Sequence, residues 1–195
     1  MAYQTYTTDA IVCKSRARGN ADRLFWLLTH DAGMVLAHAK SVREARSKLR
    51  FALQDFSIIR VSLVRGRHDW RVTGAEPYTN LYFSAASREA RAALLRSMRL
   101  LHRLLPGEEP NSRLFCVARE GLRHLATLES EHRALEGLFM LRVLHELGYV
   151  ASSKKLETLL TMASFGDAAS AMSGNTALES LVERSTDKAL EASQL

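Results

Sequence analysis

Apolar and polar positions follow two different rhythms along this chain. Over the first 80 residues they form short apolar runs and one clear alternation, bounded by turn signals, the signature of β-strands. Thr7 to Lys14 (TTDAIVCK) predicts a first strand, and Arg18 to Asp22 a loop. Arg23 to His30 (RLFWLLTH) predicts a second strand, closed by the turn Asp31-Ala32-Gly33, and Met34 to Lys40 a third. Ser41 to Leu49 is too charged for a buried strand and reads as a loop with a helical turn near Ser47-Lys48-Leu49. The clearest alternation is Phe56 to Val64, where Ile59, Val61 and Leu63 face one way and Ile58, Arg60, Ser62 and Val64 the other. Arg65 to Asp69 is a turn, and Trp70 to Ala75 begins a fifth strand. Five short antiparallel strands with a long connection between the third and fourth predict a small barrel of the OB type.

After Pro77 the period changes to that of a helix. Ser87 to Leu105 carries Ala90, Leu94, Met98, Leu101 and Leu105 on one face and stops at Pro106-Gly107. Leu114 to Leu128 and Glu131 to Leu147 repeat the pattern, the latter ending at Gly148. Ser152 to Lys155 caps a short helix through Met162, Ser164 to Gly174 reads as loop, and a last helix spans Thr176 to about Ala192. The expected fold class is therefore α+β. A five-stranded OB-fold β-barrel over residues 1–80 precedes an all-α helical domain over residues 81–195, with the break near residues 77–87.

Charge changes this picture most. Residues 1–80 hold 13 Lys and Arg against 7 Asp and Glu, and the rest of the chain holds 14 of each, so the whole formal excess of +6 lies in the β-rich part. The densest run is Lys40, Arg43, Arg46, Lys48, Arg50, Arg60, Arg65, Arg67 and Arg71. Such a surface suits a phosphate backbone, whose condensed counterions it releases. The plain alternative is a set of solvated side chains kept for solubility. Arg60 and Arg71 are the more telling, because both lie mid-strand opposite the apolar row. Arg88, Arg91, Arg99 and Arg103 form a looser helical stripe that reads first as a solvated face.

At 195 residues and 47% hydrophobic, the chain has enough apolar content for a real core. No apolar run approaches the roughly 20 residues that span a bilayer, and the start has no signal-peptide pattern. The expected location is cytoplasmic. Cys13 and Cys116 both read as small buried hydrophobes in a reducing compartment, and no CxxC pair is present.

Candidate chemistry is sparse. His102, His124, His132 and His145 are assigned to different helices, and no pair has the i, i+3 or i+4 spacing of a helical metal site. Glu108-Glu109 and Glu129 with Glu131 read as cap and surface acids. No Walker loop, GxSxG or nucleophile–base pairing is found, so no catalytic residue, metal, cofactor or small-molecule substrate is expected. Aromatic residues at Phe25, Trp26, Phe51, Phe56 and Trp70 are read either as barrel core or as platforms for stacked bases.

Several of these strings, taken together, resemble the N-terminal domain of the RecO family of DNA-repair mediators. They are Thr8 to Lys14, Asp22-Arg23-Leu24 with Leu27-Leu28-Thr29, Gly33, Ala37 to Lys40, Ser47-Lys48-Leu49, Ala52 to Ser57, Arg65-Gly66-Arg67 and Ala75-Glu76. In the helical half, Phe139 to Leu144 followed by Leu147-Gly148-Tyr149 is similar to the family's helix ending in Leu-Gly-Tyr. The family's basic Ala-Lys-Gly-x-Arg segment falls on Ala39-Lys40-Ser41-Val42-Arg43, with Ser41 at the usual glycine, which matters if that position needs positive φ. Many relatives carry a four-cysteine zinc site beyond the position of Tyr149, and this chain has no cysteine there.

The resemblance implies a single-stranded DNA-binding OB-fold followed by a helical domain. It also implies loading of RecA onto strands coated by single-strand-binding protein (SSB), with help from RecR, and annealing of complementary strands. RecR, the SSB C-terminal tail and RecA are the partners it implies, and no membrane is among them. Two other readings stay open on the residues alone: an adaptor whose basic face meets an acidic protein, and an RNA-binding OB protein.

Overall fold

The computed structural model describes residues 4–66, 69–127, 129, 132–162 and 164–192. The chain forms two compact units, Met1–Ser84 with Met98–Phe115, and Ala85–Ser97 with Cys116–Leu195.

The first unit is built on five strands: β1 (Thr5–Arg18), β2 (Asp22–Thr29), β3 (Gly33–Ala39), β4 (Ser57–Arg65) and β5 (Trp70–Asn80), with α1 (Leu49–Ala52) between β3 and β4. They close into a barrel of order β1-β2-β3-β5-β4. The long β1 makes closure possible. Its first half pairs with β4, from Thr5 opposite Val64 to Ile11 opposite Ile58, and its second half pairs with β2 out to Arg18 opposite Asp22. A bulge between Val12 and Lys14 lies where the strand changes partner, which bends it from one side of the barrel to the other.

Two expectations are corrected here. The strands are not all antiparallel, because β3 and β5 pair in parallel through Ala37 opposite Trp70 and His38 opposite Arg71. Directions cannot alternate all the way round a closed ring of five strands, so one neighbouring pair has to run the same way. The fifth strand also continues through Pro77 to Asn80. Pro77 faces Ile59 at a register shift, where a missing N–H is tolerated.

Strand alternation fills the barrel. Phe25 and Leu27, Val35 and Ala37, Ile59, Val61 and Leu63, and Trp70 and Val72 point inward, joined by Val42 and Leu53 from the β3–β4 connection.

In the helical segments, α2 (Arg88–Leu104), α3 (Ser112–Thr127), α4 (His132–Glu146), α5 (Glu157–Thr161), α6 (Phe165–Met172) and α7 (Thr176–Ala192) follow in order. Within the second unit α4 packs against α5, α6 and α7, and Leu138, Phe139, Leu141, Val143 and Leu144 are all buried. Its end is fixed by Gly148 at φ 80°, with the Tyr149 N–H donating to the Leu144 carbonyl and the Gly148 N–H to that of His145. Gly121 meets the Phe139 and Phe165 rings so closely that an added Cβ would stand 2.6 Å from Phe139.

Most of the stretch expected as loop from Ser164 to Gly174 is helix. Ser164 accepts the Asp167 N–H as its cap, and Phe165, Ala168 and Met172 are buried along one face. Arg142 is buried and donates to the Leu159 and Met162 carbonyls at 2.9 and 2.8 Å, closing α5, while its guanidinium lies over the Phe165 ring. Desolvation lowers the Arg142 pKa. His132 and His145 share α4, at its two ends, rather than standing on different helices.

Cys13 is buried as expected, and burial pushes its thiol up to about 12, which leaves it unreactive. Cys116 is exposed, against expectation, because the buried stripe of α3 runs through Phe115, Ala118 and Leu122 and passes it by. Among the described residues, no helix is long and apolar enough to cross a membrane.

Candidate nucleic-acid interface

The inward rows of the barrel fix which side chains face out. On β1, β2, β3 and β5 the register sets Arg16, Leu24, His38 and Arg71 side by side in one transverse row. Lys14, Trp26 and Leu36 form the next. With neighbouring strands about 4.8 Å apart, the two arginines of the first row stand about 15 Å from each other across the sheet. Arg16 and Arg71 are exposed, and neither makes an ion pair among the described residues.

One end of this face is covered within the same unit. The His102 ring meets Trp26 edge-on at 5.3 Å, and Lys14 Nζ lies 3.5 Å from His102 Nε2 and over the Trp26 ring. Burial first, and the Lys14 charge second, lower the His102 pKa, so the imidazole is neutral at pH 7. The Met34 N–H donates to the Gly107 carbonyl, which seals the same end. In the row from Arg16 to Arg71 both arginines stay exposed, with Leu24 and His38 partly buried between them.

A carboxylate organises the edge of that row. Asp22 accepts the His38 imidazole at 2.8 Å and the Ser41 N–H at 2.8 Å. The Ser41 N–H is the larger cause, and His38 the second, of an Asp22 pKa held below its ordinary value of 3.8. Ser41 has φ 50°, a left-handed conformation that suits glycine, so the position where the family's glycine falls does need positive φ. This bend turns the chain so that the Arg43 N–H donates to the Ala21 carbonyl, with Val42 plugged into the core between two exposed cations, Lys40 and Arg43.

The nine cations singled out in the sequence therefore have different surroundings. Lys40 and Arg43 lie in the connection after β3, where Arg43 meets the β1–β2 turn through Gly19 and Ala21, and Arg71 lies in the open row. Arg46 pairs with Glu44 at 3.0 Å, Lys48 precedes α1, and Arg50 lies over the Phe51 ring. Arg60 is exposed, but its cross-strand neighbours are Asp9 on β1 and Glu76 on β5. Arg65 pairs with Glu108 at 3.1 Å and lies over Trp70, whose Nε1 donates to the same carboxylate. Arg67 lies outside the described residues.

Arg16, Arg18 and Lys14 also belong to this surface, beyond the nine cations of the dense run. Their signal is the alternation Lys14-Ser15-Arg16-Ala17-Arg18, cations at every second residue, in a stretch that β2 holds as strand. Arg18 reaches Asp69 in the β4–β5 turn at 3.7 Å. Of the aromatic residues, Phe25 and Trp70 are core, Trp26 is covered by His102, Phe51 is exposed, and Phe56 is partly exposed.

Among the described residues no three His, Cys, Asp or Glu side chains gather as a metal site. The sequence holds two cysteines, Cys13 and Cys116, and so supplies no four-thiolate set.

A closed five-stranded barrel with a parallel β3–β5 pair and a bulged β1 shared by two partners is an OB-fold. Residues 1–80 match the family described as "Recombination protein O N terminal". A protein of Heliobacterium modesticaldum named DNA repair protein RecO is 36% identical over 146 residues, covering 74% of this chain and 52% of the relative. Proteins of the same name from Pelotomaculum thermopropionicum and Dehalococcoides mccartyi are 33% and 32% identical over 144 and 120 residues, which is 56% and 47% of their lengths and 74% and 62% of this chain. The chain spans about half the length of these relatives.

Proposed function

We propose that this chain is a non-enzymatic component of recombination repair that holds single-stranded DNA on the outer face of its barrel. The observation that carries this reading is the open row from Arg16 through Leu24 and His38 to Arg71, flanked by Lys40 and Arg43, on a barrel that matches the RecO N-terminal family. The cations draw the phosphate backbone by releasing counterions, a contact that carries no base information, so binding through it is tolerant of sequence.

Neutralising the backbone lowers the repulsion between two strands and favours their annealing. Loading of RecA onto SSB-coated strands, with RecR as helper, extends the same reading to partners. Its support is kinship with proteins named DNA repair protein RecO.

The test is single-strand affinity across a salt series. Replacing Arg16 and Arg71 together with alanine lowers the affinity and reduces the salt slope by about 0.7 for each lost phosphate contact. An unchanged slope contradicts the assignment of this face.

A further inference from the structure

We infer that a second contact with the strand lies at the far end of β5, where Phe56, Tyr82 and Phe83 form a ledge that stacks unpaired nucleobases. The inference rests on the single-strand reading above and adds to it a site of different chemistry.

Three observations carry it. First, the ledge is exposed although apolar. Phe83 is 71% exposed and Tyr82 36%, with the Tyr82 ring 5.4 Å from Phe56 and 6.1 Å from Phe83. Second, the rings are held rather than loose. One side chain, Asn80, donates to the Asp55 carbonyl and the Ser57 hydroxyl at 3.0 Å each, and its oxygen accepts the N–H groups of Tyr82 and Phe83 at 3.1 and 3.2 Å. Both turns that present the rings are thus tied to a single amide, which lowers the entropy lost on stacking. Third, Phe56 has φ 71°, a conformation that costs an aromatic residue free energy and that the barrel imposes through the Phe56 N–H to Val12 and the Leu81 N–H to Phe56. Strain of this kind at a partly exposed ring that meets the exposed Tyr82 points to use.

Unpaired bases suit the ledge better than phosphates do. Arg60, on the strand that Phe56 leads into, lies between Asp9 and Glu76, and the rings themselves offer π-faces. The connection that leads to Phe56 also carries Arg50 over the exposed Phe51 ring at 4.7 Å, a further planar pair on which a base can continue the stack. Arg71 and Asn80 stand at opposite ends of β5, about 30 Å of extended strand apart. The open row would therefore grip the backbone while the ledge takes bases farther along the same strand.

The test uses the full chain with Phe83→Ala and Phe83→Trp, and three probes: oligothymidylates of about four and about sixteen nucleotides, the limits an OB-fold covers, and a sixteen-unit abasic strand. Phe83→Ala is expected to weaken the long oligothymidylate about tenfold, with the salt slope unchanged. The short oligomer and the abasic strand should bind as they do to the wild type, and Phe83→Trp should restore or raise affinity. Equal losses on the abasic and base-bearing strands would overturn stacking. Wild-type binding that Phe83→Ala leaves untouched would overturn the ledge alone and leave the rings to an apolar protein segment. No binding of any probe by the wild type would overturn the ledge and the single-strand reading together.

Discussion

Arg71 and Arg60 are both exposed arginines on barrel strands, and in sequence both look equally suited to a phosphate. Their neighbours separate them. Arg71 has His38 on one side and Val64 on the other, in a row that ends at Arg16. Arg60 has Asp9 on one side and Glu76 on the other, each directly opposite in register. A strand cation is worth most to a polyanion when its cross-strand neighbours leave its charge unspent. Neither arginine forms an ion pair among the described residues, but Arg71 stands in a row without a carboxylate beside it, whereas Arg60 stands between two acidic register neighbours, one of which, Asp9, also accepts the Tyr78 hydroxyl.

Reversing two charges in the open row, Arg16→Glu with Arg71→Glu, should weaken single-strand binding by on the order of a hundredfold at low salt, read by fluorescence anisotropy. Arg60→Ala should change the same affinity by less than about twofold, because screening by its acidic neighbours already limits its contribution. Removing those neighbours, Asp9→Asn with Glu76→Gln, should raise affinity by about threefold and make Arg60→Ala costly in that background. If Arg60→Ala is costly in the wild type, the register argument fails.

Smaller effects test the frame that holds the open row. Ser41→Gly should stabilise the barrel by about 1 kcal/mol in thermal or denaturant unfolding, since Ser41 holds a left-handed conformation without the freedom of glycine. Asp22 has a lowered native pKa, so its contribution is present above its ordinary value of 3.8 and is lost as pH falls through the lower native value. The unfolding midpoint of Asp22→Asn should therefore depend less on pH in that acid window than the wild type's, and the two should run parallel near neutrality.

Much of the fold was legible in the residues. The alternation of Ile59, Val61 and Leu63 and the helical stripes ending at Gly107 and Gly148 are local patterns, and the structure follows them. What escaped depended on partners. Ser15 to Arg18 is strand because β2 lies beside it, and the parallel β3–β5 pair follows from ring closure, which no window of sequence contains. Helix α6 was hidden by small residues, although Ser164 and Asp167 carried its cap.

The interface was legible as charge and less so as geometry. Counting cations found the basic region, but only cross-strand register separates Arg71 from Arg60 and brings in Arg16. Phe83 escaped for a different reason. It lies in the turn after β5, where no periodicity marks an exposed ring as anything but loop.

The most direct measurement is a nuclear magnetic resonance titration of the isotope-labelled chain with oligothymidylate, mapping amide shifts onto the barrel. Binding on the open face predicts the largest changes at Arg16, Leu24, His38, Lys40 and Arg71, fading as salt rises, with Asp9, Arg60 and Glu76 little moved. Changes centred on Asp9, Arg60 and Glu76, or none anywhere on the barrel, would contradict it.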